Sequence, residues 1–248
     1  MTAAVRAQAA DASLLDATRS ALDSVRDPEL DEPITDLGFV TSCAADHGHV
    51  RIRLRLPTAF CAPNFAYLMT SDAYDAVAAV PGVRSVEVTL EDHHDAARIN
   101  AGVAARAGFR GTYGDEAAAE LDELRLVFQR KAHLACLERA CRHLLAAGWQ
   151  LEELPDATLR DLPEPDRSSL RRRRADIGLP VDNDNAVLVD DGGEPIPADE
   201  VSPRLRFART VGVSMAGNAQ FCRGLLVTRY PQAAADQRQG REGEEASR

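Results

Sequence analysis

Residues 49–56, HVRIRLRL, constrain the fold of this chain more than any other stretch. Val50, Ile52, Leu54 and Leu56 alternate with Arg51, Arg53 and Arg55. Successive side chains of a strand point to opposite faces, so this period of two predicts a strand with one buried face and one wet face. Asp46-His47-Gly48 separates it from residues 39–45 and reads as a hairpin turn. Residues 57–63, PTAFCAP, form a loop that enters a helix at about residue 64. That helix runs to about residue 80, where Pro81-Gly82 breaks it, and residues 83–90, VRSVEVTL, read as a third strand. Ahead of the hairpin, residues 13–25 place Leu14, Ala21, Leu22 and Val25 at helical spacing, with Leu15 beside them and Thr18 completing the face. Ser13 or Asp11 is the candidate N-cap, and Asp27-Pro28 ends the helix because a residue before proline disfavours the α region. Pro28, Pro33 and Gly38 then punctuate residues 27–40 as a loop leading into the first strand. The order is α-β-β-α-β.

Beyond residue 92 the pattern changes. A helical stretch over about 95–107 is broken by residues 108–114. A long helix over about 115–147 follows, with Leu121, Leu124, Phe128, Ala135 and Leu145 as its apolar face and Gly148 as its stop. Residues 155–168 hold three prolines and several acids and read as a linker, with a short helix near 167–177. Asp190-Asp191-Gly192-Gly193 signals a hairpin. Residues 204–215 and 221–230 read as two strands around Ala216-Gly217-Asn218. The expected class is α+β: a small α-β-β-α-β domain at 12–92 behind a flexible N-terminus at 1–11. A mainly helical extension at 93–154, a linker with a short β-containing region at 155–231 and a disordered polar tail at 232–248 complete it.

Charge and cysteine usage exclude several function classes. Formal net charge is −10, and a general nucleic-acid binder needs a basic surface to displace counterions from phosphate. The one basic run, Arg171-Arg172-Arg173-Arg174, reads as a solvated helix face. Five cysteines (Cys43, Cys61, Cys136, Cys141 and Cys222) give an odd count with no C-x-x-C, which argues against a secreted disulfide framework and for reduced cytoplasmic thiols. Residues 1–12 lack the apolar region of a signal peptide. No apolar run approaches the length of a membrane span. Neither a G-x-x-x-x-G-K-[ST] loop nor a G-x-S-x-G elbow occurs, and Glu91 with His94 is the one Glu-x-x-His spacing, so catalysis is not expected.

Among the residues able to carry chemistry, Cys61 stands first. It sits just before a helix, where unsatisfied N–H groups and a partial positive charge favour thiolate, the form that binds metal. The alternative is a buried structural cysteine. His93 and His94, between Asp92 and Asp95, offer donors that suit iron or zinc, or else form a solvated polar turn. Cys222 lies among apolar residues and reads as packing or as a second metal-handling thiol. His133, Cys136 and His143 share one stripe of the long helix, but His133 and His143 stand about 15 Å apart along it, too far for one ion.

The segment DPELDEPITDLGFV, then a strand, then PTAFCAPNF, a helix and PGVRSVEVTL resembles the SufT/PaaD-type iron–sulfur (metal–sulfur) cluster assembly family over residues 12–92. The resemblance implies a small α/β domain that helps install or deliver iron–sulfur or related iron centres. By position, its site comprises Cys61 with Asp27, Glu29, Asp36 and Thr58. One departure is that Ala62 stands between Cys61 and Pro63, where the family has cysteine directly before proline. Residues 93–230, with INAGVAARAGF, a long helix and a terminal FCRGLLVTRYP, resemble accessory proteins encoded beside bacterial multicomponent di-iron monooxygenases, such as those for propane. The implied role is a cytoplasmic maturation factor, not an enzyme, that carries iron or a cluster transiently to a client metalloprotein, without nucleic-acid or membrane partners. The competing reading is a module that docks a hydroxylase subunit and binds no metal. One cysteine cannot complete a four-thiolate cluster site, so a bridging cluster needs a homodimer or a client thiol.

Overall fold

A computed structural model describes residues 3–117 and 121–231. The fold is α+β, and the chain divides into two compact units, Met1–Leu121 with Ala219–Arg248, and Asp122–Asn218. In the first unit, helix α1 (Ala3–Leu22) precedes strands β1 (Val40–Asp46) and β2 (His49–Arg55), helix α2 (Pro63–Ala78) and strand β3 (Ser85–Glu91). The expected α-β-β-α-β order is present. α1 starts earlier than the sequence suggests: residues 3–11, expected to be flexible, are helical, and Asp11 accepts the His47 backbone N–H at 3.0 Å. The tail expected to be disordered at 232–248 lies outside the described residues.

β2 is the central strand, antiparallel to β1 and parallel to β3. Its alternation works as the sequence requires: Val50, Ile52, Leu54 and Leu56 are buried, and Arg51 and Arg53 are exposed. The hairpin turn places both His47 (φ 50°) and Gly48 (φ 84°) in the left-handed region, the conformation of a type I′ turn. A Cβ at Gly48 would also lie 2.9 Å from the Gly82 carbonyl oxygen, so glycine is required there twice over. α1, α2 and helix α3 (Ala96–Ala104) supply the covering layer, with Leu22, Ala66, Ala73, Val77 and Ile99 inaccessible to solvent. Helix α4 (Gly108–Tyr113) follows.

The second unit holds helices α5 (Asp122–Ala146) and α6 (Asp166–Asp176). Helix α7 (Ala198–Arg229) begins in this unit and ends in the first. The strands expected at 204–215 and 221–230 are therefore helix. Val201 and Ala208, seven residues apart, are buried in the second unit, and Ala219 and Leu226, again seven apart, are buried in the first. That spacing is close to two helical turns. β pairing beyond residue 92 is confined, among the described residues, to the isolated bridges Thr158↔Ala186 and Val189↔Pro195. The second closes over the Asp190 turn, whose carboxylate accepts the Gly192 and Glu194 N–H groups.

Residues 155–168 are no linker. Ala157, Leu159 and Leu162 pack into the core of the second unit with Leu154, through two short 3-10 turns. The basic run is only half solvated, because Arg173 and Arg174 are buried. On α5 the buried side chains are Ala132, His133, Leu134, Cys136, Leu137, Ala140, Cys141 and Leu144, while Leu145 is 37% exposed.

Candidate metal centre

The turn after α1 builds the first wall of the site. The Asp27 carboxylate accepts backbone N–H groups from Glu29 at 2.9 Å and Leu30 at 3.0 Å, closing the loop that Pro28 begins. Asp27 is buried, and burial pushes its carboxyl up to about 6. The two N–H bonds oppose that rise and the neighbouring Glu29 charge adds to it. The second wall is the loop before α2. Ala62 is the N-cap of that helix and Pro63 opens it, so Cys61 stands one residue before the cap. Thr58 Oγ1 lies 3.5 Å from Cys61 Sγ and accepts the Phe60 N–H at 3.2 Å.

A cavity of about 140 Å3 opens between these walls. It is lined by Asp27, Glu29 and Cys61, by apolar Phe39, Leu56, Phe65 and Met69, and by Cys222 from the last turns of α7. Cys222 lies in the first unit, on a helix and not on the expected strand. Burial raises its thiol to about 11, and the negative charges of Asp27, Cys61 and Glu29 act in the same direction. None of the five cysteines forms a disulfide.

The two histidines do a job that sequence reasoning did not foresee. His93 Nδ1 accepts the Asp95 N–H at 3.1 Å, so the ring proton sits on Nε2, which donates to the Cys61 carbonyl at 2.8 Å. His93 is buried, and that burial lowers its pKa. The His94 backbone N–H and its Nδ1 both lie within 3.0 Å of the Ala59 carbonyl. Both rings thus hold the cysteine loop, and His93 has no ring nitrogen left for a metal in this arrangement. Phe60 stacks on His94 and is 81% exposed. Of the residues expected by sequence, Asp27, Glu29, Cys61 and Cys222 meet at the cavity, and Thr58 and His93 contact Cys61. His94 contacts the loop beside it. Asp36 is exposed and does not line the cavity.

Three metal-ligating donors mutually within 4.8 Å occur, among the described residues, at Asp11 on α1, Asp46 at the end of β1 and His47 in the turn after it, none of which lines the cavity. The donors of the cavity are therefore not preset as a closed three-ligand shell. In the second unit, His143 and Arg139 pair with buried Asp166 and do not converge with His133. Cys136 and Cys141 are buried there, and burial pushes Cys141 up to about 12.

The first unit is thus a small α/β domain in which a thiol at a helix entrance stands beside a buried carboxylate. Residues 15–90 match the family described as iron–sulfur cluster assembly protein, and through this N-terminal segment the chain belongs to that family. Iron–sulfur cluster carrier proteins of Mycobacterium tuberculosis and Mycobacterium bovis are each 39% identical over 89 residues, 36% of this chain and 23% of theirs. The chain therefore spans under a quarter of the length of those relatives. An uncharacterized protein of Methanocaldococcus jannaschii is 35% identical over 75 residues, 30% of this chain and 77% of its own length. No helix among the described residues is long and apolar enough to cross a membrane.

Proposed function

We propose that this chain is a maturation factor without turnover. It holds iron or an iron–sulfur cluster transiently at Cys61 and passes it to a client metalloprotein in the cytoplasm. One observation carries this reading: within the segment that belongs to the iron–sulfur assembly family, Cys61 shares a cavity with Asp27 and Glu29. Thiolate selects iron over the hard cations, and the carboxylates offer oxygen donors or accept the thiol proton released on binding. Thr58 and His93 hold the cysteine loop. An open donor set suits cargo that must leave again. A component of a di-iron monooxygenase is the narrower client, supported by the pattern of residues 93–230.

Anaerobic iron and sulfide loading of the wild type and Cys61→Ser tests this. Metal and sulfide bound by the wild type and lost in Cys61→Ser support a carrier. No binding by either protein sinks it. Exposed Phe221 and Val227, on the part of α7 within the first unit, favour a second reading, a docking module for a hydroxylase subunit. In that case Cys61→Ser leaves client activation intact.

A further inference from the structure

We propose that Cys61 and Cys222 of one chain ligate the same thiophilic metal, in the cavity that the Asp27 carboxylate also lines. The second thiolate then comes from the end of α7 and not from a second copy. This rests on the carrier reading above and names the donor set of that site.

Two observations carry it. Both thiols line the same cavity as Asp27 and Glu29, all within the first unit. The end of α7 is also fastened to that unit by several independent contacts. Arg223 pairs with Glu32, and Tyr230 Oη donates to Asp92 Oδ2 at 3.2 Å. The Arg229 guanidinium donates to the Asp92 carbonyl at 3.2 Å, and the Arg55 guanidinium lies 4.5 Å from the Tyr230 ring centroid. Ala219 and Leu226 complete the attachment in the core. Cys222 is thereby held at the cavity by its own chain. Two thiolates neutralise a divalent ion, and binding sends two thiol protons to solvent.

The ligand class is a thiophilic ion or one iron of a [2Fe–2S] cluster, each served by two protein thiolates. In the cluster case the other iron is left to client thiols. The cavity volume of about 140 Å3 is several times the ~30 Å3 that a water molecule occupies in the liquid.

Anaerobic Co(II) titration of the full chain is the test, read by the sulfur-to-cobalt charge-transfer absorption, whose intensity grows with the number of thiolates. The expected result is one Co(II) per chain at every protein concentration. Cys61→Ser and Cys222→Ser should each halve the band per bound cobalt and weaken affinity ~10-fold or more, as losing even an outer-shell partner does. Cys43→Ser, altering a thiol on β1 outside the cavity, should change neither. Cys222→Ala, checked by its thermal transition, separates ligand loss from misfolding. Parallel reconstitution with iron and sulfide distinguishes the two cargoes: bound sulfide lost in both cysteine variants marks the cluster, and iron without sulfide marks the ion. Binding abolished by Cys61→Ser but unchanged by Cys222→Ser overturns this inference and leaves the carrier reading standing. One metal shared by two chains overturns it as well. No binding of either metal by the wild type overturns both.

Discussion

Each unit buries a charged group, Arg174 in the second and Asp27 in the first, and the two are treated differently. The second unit buries Arg174 completely and surrounds it with carbonyl oxygens of Pro180, Ala186 and Val187. Burial lowers its pKa to about 10, so it stays charged at neutral pH, and only its Nε lacks a partner among the described residues. The first unit buries Asp27 with two backbone N–H donors and sets it against a cavity. Its carboxyl titrates at about 6, close to neutral pH. The cysteines divide in the same way. Cys136 and Cys141 are sealed in a core, and Cys61 and Cys222 are half-buried at the cavity. A buried charge ringed by carbonyl acceptors within a core is structural. One left beside open space with thiols is available for chemistry.

The largest stability effect expected from this comparison is Arg174→Ala. It leaves three inward carbonyls without their donor and opens a void, at a cost of about 3 kcal/mol or more. Trp149, the only tryptophan of the chain, lies against the core of that unit and reports its urea transition. Metal binding at Cys61 should be unchanged under native conditions. Loss of both together would break the comparison.

Asp27→Asn should act in the opposite direction. Asn keeps an oxygen for the Glu29 and Leu30 N–H groups and removes a charge that burial disfavours. The folded carboxyl titrates at about 6 against an ordinary 3.8, so ionisation costs the folded state up to about 3 kcal/mol at pH 7. The variant should gain a fraction of that at pH 7 and nothing below pH 4, where wild-type Asp27 is protonated folded or unfolded. Metal affinity should fall. Protection of the β2 amides from hydrogen exchange at the two pH values measures the stability gain. A destabilised variant at pH 7 would show that Asp27 is a structural cap and no more.

How much of the fold and site is legible in the sequence depends on sequence distance. The alternation at residues 50–56 and the glycine turn at 48 are local signals, and they place the sheet. The segments around Asp27 and Cys61 carry their own punctuation, so these residues stand out in the sequence itself. The end of α7 does not. Val211, Val213 and Val227 favour strands locally, and Ala216-Gly217-Asn218 looks like a turn, while burial of Val201, Ala208, Ala219 and Leu226 decides for helix. What brings Cys222 to the cavity includes the contact of Tyr230 with Asp92 across 138 residues, and no local pattern encodes it. Arg173 and Arg174 look solvated for the same reason, since the carbonyls that accept from Arg174 lie in a later loop.

His93 offers the smallest effect and the finest test of the first unit. His93→Ala removes the donor to the Cys61 carbonyl and the acceptor for the Asp95 N–H, a loss of about 1–2 kcal/mol, and it loosens the cysteine loop. His93→Gln should recover part of this, because its amide can still donate. The pH dependence separates His93 from Asp27. Burial holds the folded pKa of His93 below 6.5, so just below pH 6.5 the unfolded chain takes up a proton that the folded protein refuses. Stability from this group is present above pH 6.5 and falls on acidification. Asp27 has the reverse sign: the folded protein takes up its proton near pH 6 and the unfolded chain near 3.8, so its contribution rises as pH drops from 7 to 4. In the wild type the two oppose each other. In Asp27→Asn the His93 slope should lead in the first unit, making its β2 amides less protected at pH 5 than at pH 7.5, while buried His133, whose pKa is lowered to about 4, gives an acid slope of its own in the second unit. In Asp27→Asn/His93→Gln the slope of the first unit should flatten. If it persists in the double variant, the acid sensitivity of the first unit belongs to another group, and His93 is not what fixes the loop that carries Cys61.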